Sequence, residues 1–185
     1  MVMSLIAGTG LAGGCAPGDF ADGCAGDAGP PAAASEGSGR PERIAINRDS
    51  FAARHIGRTA DGRQFFLTTP FDPGTYGTDT SREFVALYLF AQDGKFLEAK
   101  IDDVGSRERL DSAEVKRVYQ ARLAELGKVK FGRIEVEPFA VERFGLAFGL
   151  IAEAPTSEDD MWWVTAEPGN YMAFSAPWDC GVYDT

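Results

Sequence analysis

The run Phe84–Phe90 is apolar at every position, and it is followed by Asp93-Gly94 and then by Phe96–Asp102, where apolar and charged residues alternate. A continuous apolar run is typical of a strand that is covered on both faces. Strict alternation is typical of a strand with one buried face. Asp-Gly favours the positive φ angles of a tight turn. The three segments together predict a β-hairpin at the centre of an antiparallel sheet.

Two further hairpins are predicted. Ala53–Thr59 and Arg63–Thr69 flank the turn Asp61-Gly62, and Phe139–Arg143 leads through Phe144-Gly145 into the apolar run Leu146–Ala152. Shorter strand-like runs complete the set: Ile44–Ile46, Phe131–Glu137, Met161–Ala166 and Tyr171–Ser175. Because hairpins join most neighbours, we expect a largely antiparallel sheet of about eight strands.

One long amphipathic helix is predicted over residues 111–126. Asp111 can act as its N-cap, and Gly127 supplies a C-terminal stop. Its apolar residues recur at helical spacing: Val115, Val118, Tyr119, Leu123 and Leu126. The fold class is therefore α+β. The opposite side carries Lys116, Arg117, Arg122 and Glu125, which predicts a solvated face or a basic patch for the acidic end of the chain.

The chain is expected to contain one α+β domain, residues 41–185, after a disordered leader, residues 1–40. The leader is rich in Gly, Ala, Pro and acids, a composition that buries too little apolar surface to fold. Its start resembles a degenerate bacterial lipoprotein signal that ends at Cys15. Two locations therefore stay open, a cytoplasmic protein and a protein anchored in the cell envelope by a lipid on Cys15.

The charge distribution excludes some partners. The sequence has a net charge of −10, and no Lys or Arg follows Arg143. Nucleic acids and anionic membranes are bound mainly through Lys and Arg. We therefore expect no nucleic acid, and no membrane contact unless Cys15 is lipidated.

No metal or cofactor is predicted. The three cysteines, Cys15, Cys24 and Cys180, show no metal-binding spacing, and their odd number fits a reducing compartment. If the chain were exported, Cys15 and Cys24 could close a small loop. Cys180 is interpreted as incidental. The acidic run Glu158–Asp160 lacks the spacing of a calcium loop and is interpreted as solvated.

The C-terminal run from Glu158 onward combines all three tryptophans with many carboxylates. Large aromatic residues dominate the binding energy of many protein interfaces. The sequence therefore favours a non-enzymatic binding or regulatory module with a protein partner rather than a small molecule, and it leaves the oligomeric state open. The predicted contact residues are Trp163, Trp178, Asp179, Tyr183 and Asp184.

A hydrolase is the alternative from another class. His55 is the one histidine of the sequence, and Arg54 precedes it, so these two residues mark a possible site. On a strand, Arg54 would point away from the face of His55. Asp179 and Asp184 could form an acid–base pair if a cleft brought them together. Either version requires a concave pocket that gathers these groups.

Several segments resemble one family of small acidic bacterial proteins. They are H-I-G-R-T-A-D-G-R-Q-F-F, L-Y-L-F-A-Q-D-G-K-F-L-E-A-K-I-D-D, F-G-L-I-A-E-A and P-G-N-Y-M-A-F-S-A-P-W-D-C-G-V-Y-D-T. Some members of that family are labelled "formate hydrogenlyase regulatory protein". The resemblance covers roughly residues 41–185. It implies that the leader is peripheral and that the protein is cytoplasmic, and it supplies no catalytic residues.

Overall fold

The computed structural model describes residues 39–75, 78, 80–158 and 160–185. In this part of the chain, twelve strands form three antiparallel sheets, and one α-helix covers the largest sheet. The predicted α+β class is therefore confirmed. Cys15, the site of the alternative lipid anchor, and the leader apart from residues 39 and 40 lie outside the described residues.

The strands before the helix are β1 (Ile44–Ile46), β2 (His55–Thr59), β3 (Gln64–Thr68), β4 (Phe71–Asp72), β5 (Arg82–Phe90) and β6 (Phe96–Ser106). After α1 (Ser112–Glu125) come β7 (Val129–Phe131), β8 (Ile134–Val136), β9 (Phe139–Arg143), β10 (Leu146–Glu153), β11 (Trp163–Glu167) and β12 (Ala173–Phe174). The predicted strand pairs β2–β3, β5–β6 and β9–β10 are all present and antiparallel. The hairpin predictions are confirmed.

The prediction of one sheet of about eight strands is wrong. A six-stranded sheet contains β2 to β7, a four-stranded sheet contains β9 to β12, and β1 pairs with β8 alone. The run Phe131–Glu137 reads as one strand in the sequence, but the chain leaves the large sheet at Gly132. It then pairs Ile134–Val136 with β1 instead. Alternation of apolar residues reports which face is buried and carries no information on the partner strand.

Two hydrophobic cores lie on opposite faces of the six-stranded sheet. Alternate residues of β3 and β5 face the helix, namely Phe65, Leu67, Val85, Leu87 and Leu89. The residues between them, including Phe66, Ala86, Tyr88 and Phe90, face the other two sheets. The molecule therefore has three layers, with the six-stranded sheet in the middle. This arrangement explains why β5 is apolar at every position.

The helix forms over the predicted residues, to within one residue at each end. The Asp111 carboxylate accepts hydrogen bonds from the backbone N–H groups of Ala113 and Glu114, and Gly127 follows the helix with φ of 65°. The predicted apolar residues of α1 all pack on the helix-side core. Arg122 donates two hydrogen bonds to Asp102 on β6, at 2.6 and 2.8 Å, and so fixes the helix against the sheet.

The C-terminal segment is ordered against β1. The backbone N–H of Ala45 donates to the carbonyl oxygen of Trp178 at 2.8 Å, and that of Asn47 donates to Gly181 at 2.8 Å. The opposite edge of β1 pairs with β8. Residues 178–181 therefore cover an edge of β1 that would otherwise lack backbone partners.

Candidate functional site

His55 and Tyr119 meet where the helix crosses the start of β2. The Tyr119 hydroxyl lies 2.7 Å from His55 Nδ1 and donates to the carbonyl oxygen of Leu67 at 3.2 Å. His55 and Leu67 are neighbours in the β2–β3 ladder. The sheet register and the helix position together hold all three groups in place.

Only one tautomer of His55 allows both contacts of the Tyr119 hydroxyl to be hydrogen bonds at the same time. A carbonyl oxygen has no proton to give, so the single hydroxyl proton of Tyr119 goes to Leu67. The Tyr119 oxygen must then accept a hydrogen bond from His55, which requires a proton on Nδ1. The other ring nitrogen, Nε2, is left with a lone pair that can accept a hydrogen bond.

Two aromatic rings hold the imidazole. The ring centroids of Tyr119 and Phe131 each lie 5.4 Å from that of His55, and both rings are tilted against it. The Arg48 guanidinium lies over Phe131, 5.3 Å from its centroid, and its Nε donates to the carbonyl oxygen of Arg54. The side chain of His55 therefore has a defined orientation.

The surroundings favour the neutral forms of the His55 and Tyr119 side chains. Burial lowers the pKa of His55 below its ordinary value of 6.5, and the positive charges of Arg54 and Arg48 lower it further. Burial raises the pKa of Tyr119 to about 12, although Arg54 opposes this shift. At neutral pH, His55 is therefore an uncharged acceptor at Nε2, and Tyr119 keeps its proton.

His55 lines a groove of about 580 Å³ between the start of β2 and the first turns of α1. Its polar lining residues are Arg54, His55, Thr69, Ser112, Lys116, Tyr119 and Gln120, and its apolar ones are Phe51, Leu110 and Val115. None of these residues is Asp or Glu. A chain with a net charge of −10 thus presents a groove whose charged lining groups are cations. We call it the His55 groove.

The sequence predicts a possible site at His55 and Arg54, but it places their side chains on opposite faces of one strand. Arg54 instead belongs to the turn that precedes β2, so both side chains line the same groove. The sequence pattern predicts a solvated position for Lys116 and a core position for Tyr119. Their spacing of three residues on a helix places them side by side, and this was the available signal.

The predicted basic patch on α1 is occupied by partners within the domain. Arg117 pairs with Glu114 at 2.6 Å, and Arg122 pairs with Asp102 and Glu125. These acids belong to the helix and to β6, so the predicted contact between this patch and the acidic end of the chain is not present at the described residues. Lys116 is the helix cation that lines the His55 groove.

The five residues predicted to bind a protein partner do not line the His55 groove. Trp178 is half-buried and packs on the core between the sheets, and its Nε1 is buried without a hydrogen-bond partner among the described residues. The Tyr183 hydroxyl donates to the Asp49 carboxylate. Asp184 is bonded through its backbone to Ala173.

Trp163 and Asp179, the other two predicted contact residues, also lie outside the His55 groove. Trp163 is half-buried at the start of β11, and Asp179 is exposed, with its carbonyl oxygen accepting a hydrogen bond from Arg133 at 2.6 Å. A second depression of about 330 Å³ contains Tyr183, Val182 and Asp49, and it meets the His55 groove at Phe51. Phe51 is 69% exposed and lines both concavities.

Two other sequence expectations concern acids and cysteines. Asp160 accepts hydrogen bonds from the backbone and hydroxyl groups of Thr156, so it fixes its own loop, and Asp159 lies outside the described residues. Cys180 is disulfide-bonded, which does not fit the reducing compartment expected from the odd number of cysteines. Cys15 and Cys24 lie outside the described residues.

Comparison with protein families, with curated proteins and with solved structures gave no match. Within the described part of the chain, no helix combines the length and the apolar character needed to cross a membrane. The geometry of the His55 groove is therefore the guide to function.

Proposed function

We propose that this protein is a binding domain that holds a small anionic ligand in the His55 groove. The observation that carries the proposal is the concave site of about 580 Å³ with Arg54 and Lys116 on its walls and no carboxylate among its lining residues. Concave sites with a few converging polar groups are the usual form of small-molecule sites. Phe51, Leu110 and Val115 add apolar surface for the remainder of the ligand.

The charge pattern favours this reading over a solvated cationic surface. On a protein with 28 acids and 18 Lys and Arg residues, several cations pair with nearby acids, as Arg117 and Arg122 do. No ion pair to Arg54 or Lys116 occurs among the described residues within salt-bridge distance. Two cations at one groove attract an anion and raise its local concentration.

Titration calorimetry with a panel of small oxyanions tests the proposal. The double variant Arg54→Gln, Lys116→Gln should lose at least roughly tenfold in affinity, since charge-assisted hydrogen bonds contribute about 1.5–3 kcal/mol each. Arg117→Gln is the matched control, because this helix residue lies outside the groove lining. Absence of binding by the whole panel, or an equal loss in the control, would contradict the proposal.

The hydrolase alternative has less support. It needs a base and a second group within reach of one point. His55 lies in a groove, but Asp179 and Asp184 do not line it. The carboxylate pair that the sequence suggested is therefore not a part of this site.

A protein partner at the C-terminal surface, the first expectation from the sequence, also stays a proposal. Trp178 and Tyr183 contact the domain itself, so fewer aromatic groups are left for a partner. A regulatory role is compatible with either kind of ligand. Of the two locations left open, the disulfide-bonded Cys180 favours export over the cytoplasm, because disulfides persist in oxidising compartments. The groove makes a small molecule the better-supported ligand.

A further inference from the structure

The hydrogen bonds of His55 restrict the chemistry of a ligand in the groove. Nδ1–H is donated to Tyr119, whose own proton goes to Leu67, so Nε2 offers a lone pair. Arg54 and Lys116 can only donate. The groove therefore combines two cations with one hydrogen-bond acceptor fixed by the fold.

An anion whose oxygen atoms all lack protons fits this combination poorly. Its oxygens satisfy Arg54 and Lys116, but near His55 an oxygen lone pair would face the lone pair of Nε2. An anion that also has an O–H group can donate it to Nε2. Leaving a polar group unpaired in a partly desolvated site weakens binding.

We propose that the His55 groove selects oxyanions that also carry an O–H donor, the class that contains hydrogen phosphate and 2-hydroxy acids, and that His55 Nε2 accepts this hydrogen bond. The inference rests on the proposed function, because it assigns a ligand class to the same groove. Tyr119 acts here as a positioning residue, since it sets the tautomer of His55. The lowered pKa of His55, caused by burial, Arg54 and Arg48, keeps Nε2 unprotonated at neutral pH.

Matched anion pairs test the inference. At mildly alkaline pH, hydrogen phosphate and sulfate are both tetrahedral dianions, and they differ in one O–H group. Glycolate and acetate are carboxylates that differ in the same way. We expect calorimetry to show a preference of roughly tenfold for the hydroxyl-bearing member of at least one pair, which corresponds to one well-placed hydrogen bond. A preference confined to one pair identifies the oxyanion geometry that the groove takes.

Tyr119→Phe separates selectivity from affinity. Without the hydroxyl, Nδ1 loses its fixed acceptor, and the imidazole can adopt the other tautomer and donate from Nε2. We expect this variant to bind both members of a pair with similar affinity. The nitrogen chemical shifts of the single histidine report the tautomer directly in the wild-type protein, without any ligand.

The outcomes distinguish the two proposals. If all four anions bind and the members of each pair bind equally, the donor requirement is wrong and the anion groove stands. If none of them binds, both proposals fail. A wild-type spectrum that shows the Nε2–H tautomer also overturns the inference. Should Tyr119→Phe not fold, the wild-type spectrum and the anion pairs still decide.

Discussion

The Tyr119 hydroxyl lies 2.7 Å from His55 Nδ1 and so joins the helix to the first strand of the hairpin that it covers. The two residues are 64 positions apart in the sequence. Their contact defines one wall of the His55 groove and the protonation pattern inside it.

The stability of the protein should depend on the protonation of His55. Its folded-state pKa lies below the ordinary value of 6.5, so the unfolded chain binds the proton first as the pH falls. The contribution of neutral His55 to the free energy of unfolding is fully present above pH 6.5. It decreases as the pH falls from there through the folded-state pKa. Urea denaturation at a series of pH values should show a smaller loss for His55→Gln than for the wild type in this window. Equal slopes for both proteins would contradict the prediction.

Tyr88→Phe should leave the protein as stable as the wild type or stabilise it by up to about 1 kcal/mol. The Tyr88 hydroxyl is buried and has no hydrogen-bond partner among the described residues, so its removal relieves a desolvation penalty. Tyr119→Phe is the matched control, because the Tyr119 hydroxyl donates to the carbonyl oxygen of Leu67 at 3.2 Å, and the variant should lose about 1 kcal/mol. Thermal melts of both variants measure the difference. A clear loss in Tyr88→Phe would indicate that its hydroxyl has a partner.

Gly57→Ala should destabilise the protein by about 2 kcal/mol or more. A Cβ atom at Gly57 would lie 2.2 Å from the carbonyl oxygen of Lys130, so β7 would have to move away from β2. Gly132→Ala is the control, since no atom lies within 4 Å of its added Cβ, and its effect should stay within about 0.5 kcal/mol. Chemical denaturation compares the two. Similar losses in both variants would show that the close approach of the strands is unimportant.

Trp178→Ala should lower the free energy of unfolding by about 2 kcal/mol or more, because the ring packs on the core between the sheets. Asp179→Asn, in the same turn and exposed, should change it by less than about 0.5 kcal/mol. Guanidinium denaturation provides the measurement. If Trp178→Ala were as stable as the wild type, the ring would be free for a partner, and the C-terminal protein interface would become the stronger proposal.

The hairpins and the helix could be predicted from the sequence because their signals are local. Asp93-Gly94 lies between a continuously apolar run and an alternating one, and Asp111 and Gly127 mark both ends of the helix. The division into three sheets could not be predicted, because the partner of Ile134–Val136 is β1, far away in the sequence. Leu97 shows a further limit: the register shifts beside it, and the side chain is 52% exposed despite the regular alternation.

The candidate site was predicted in part. His55 could be predicted as a candidate because it is the one histidine of the sequence, and Arg54 because it is the neighbouring residue. Lys116 and Tyr119 do not, since a lysine and a tyrosine on an amphipathic helix are normally explained by solvent and core. Only the packing of the helix over β2 brings them to His55. Long-range packing, rather than any motif, assembles this groove.

The covering of β1 by residues 178–181 has a consequence for the behaviour of the protein in concentrated solution. Removal of this segment would leave the N–H groups of Ala45 and Asn47 without acceptors along a short apolar strand. Such a strand is a template for a second molecule, which could add its own β-strand in register. A chain truncated before Trp178 is therefore expected to self-associate through β1, so residues 178–181 protect this strand against edge-to-edge pairing.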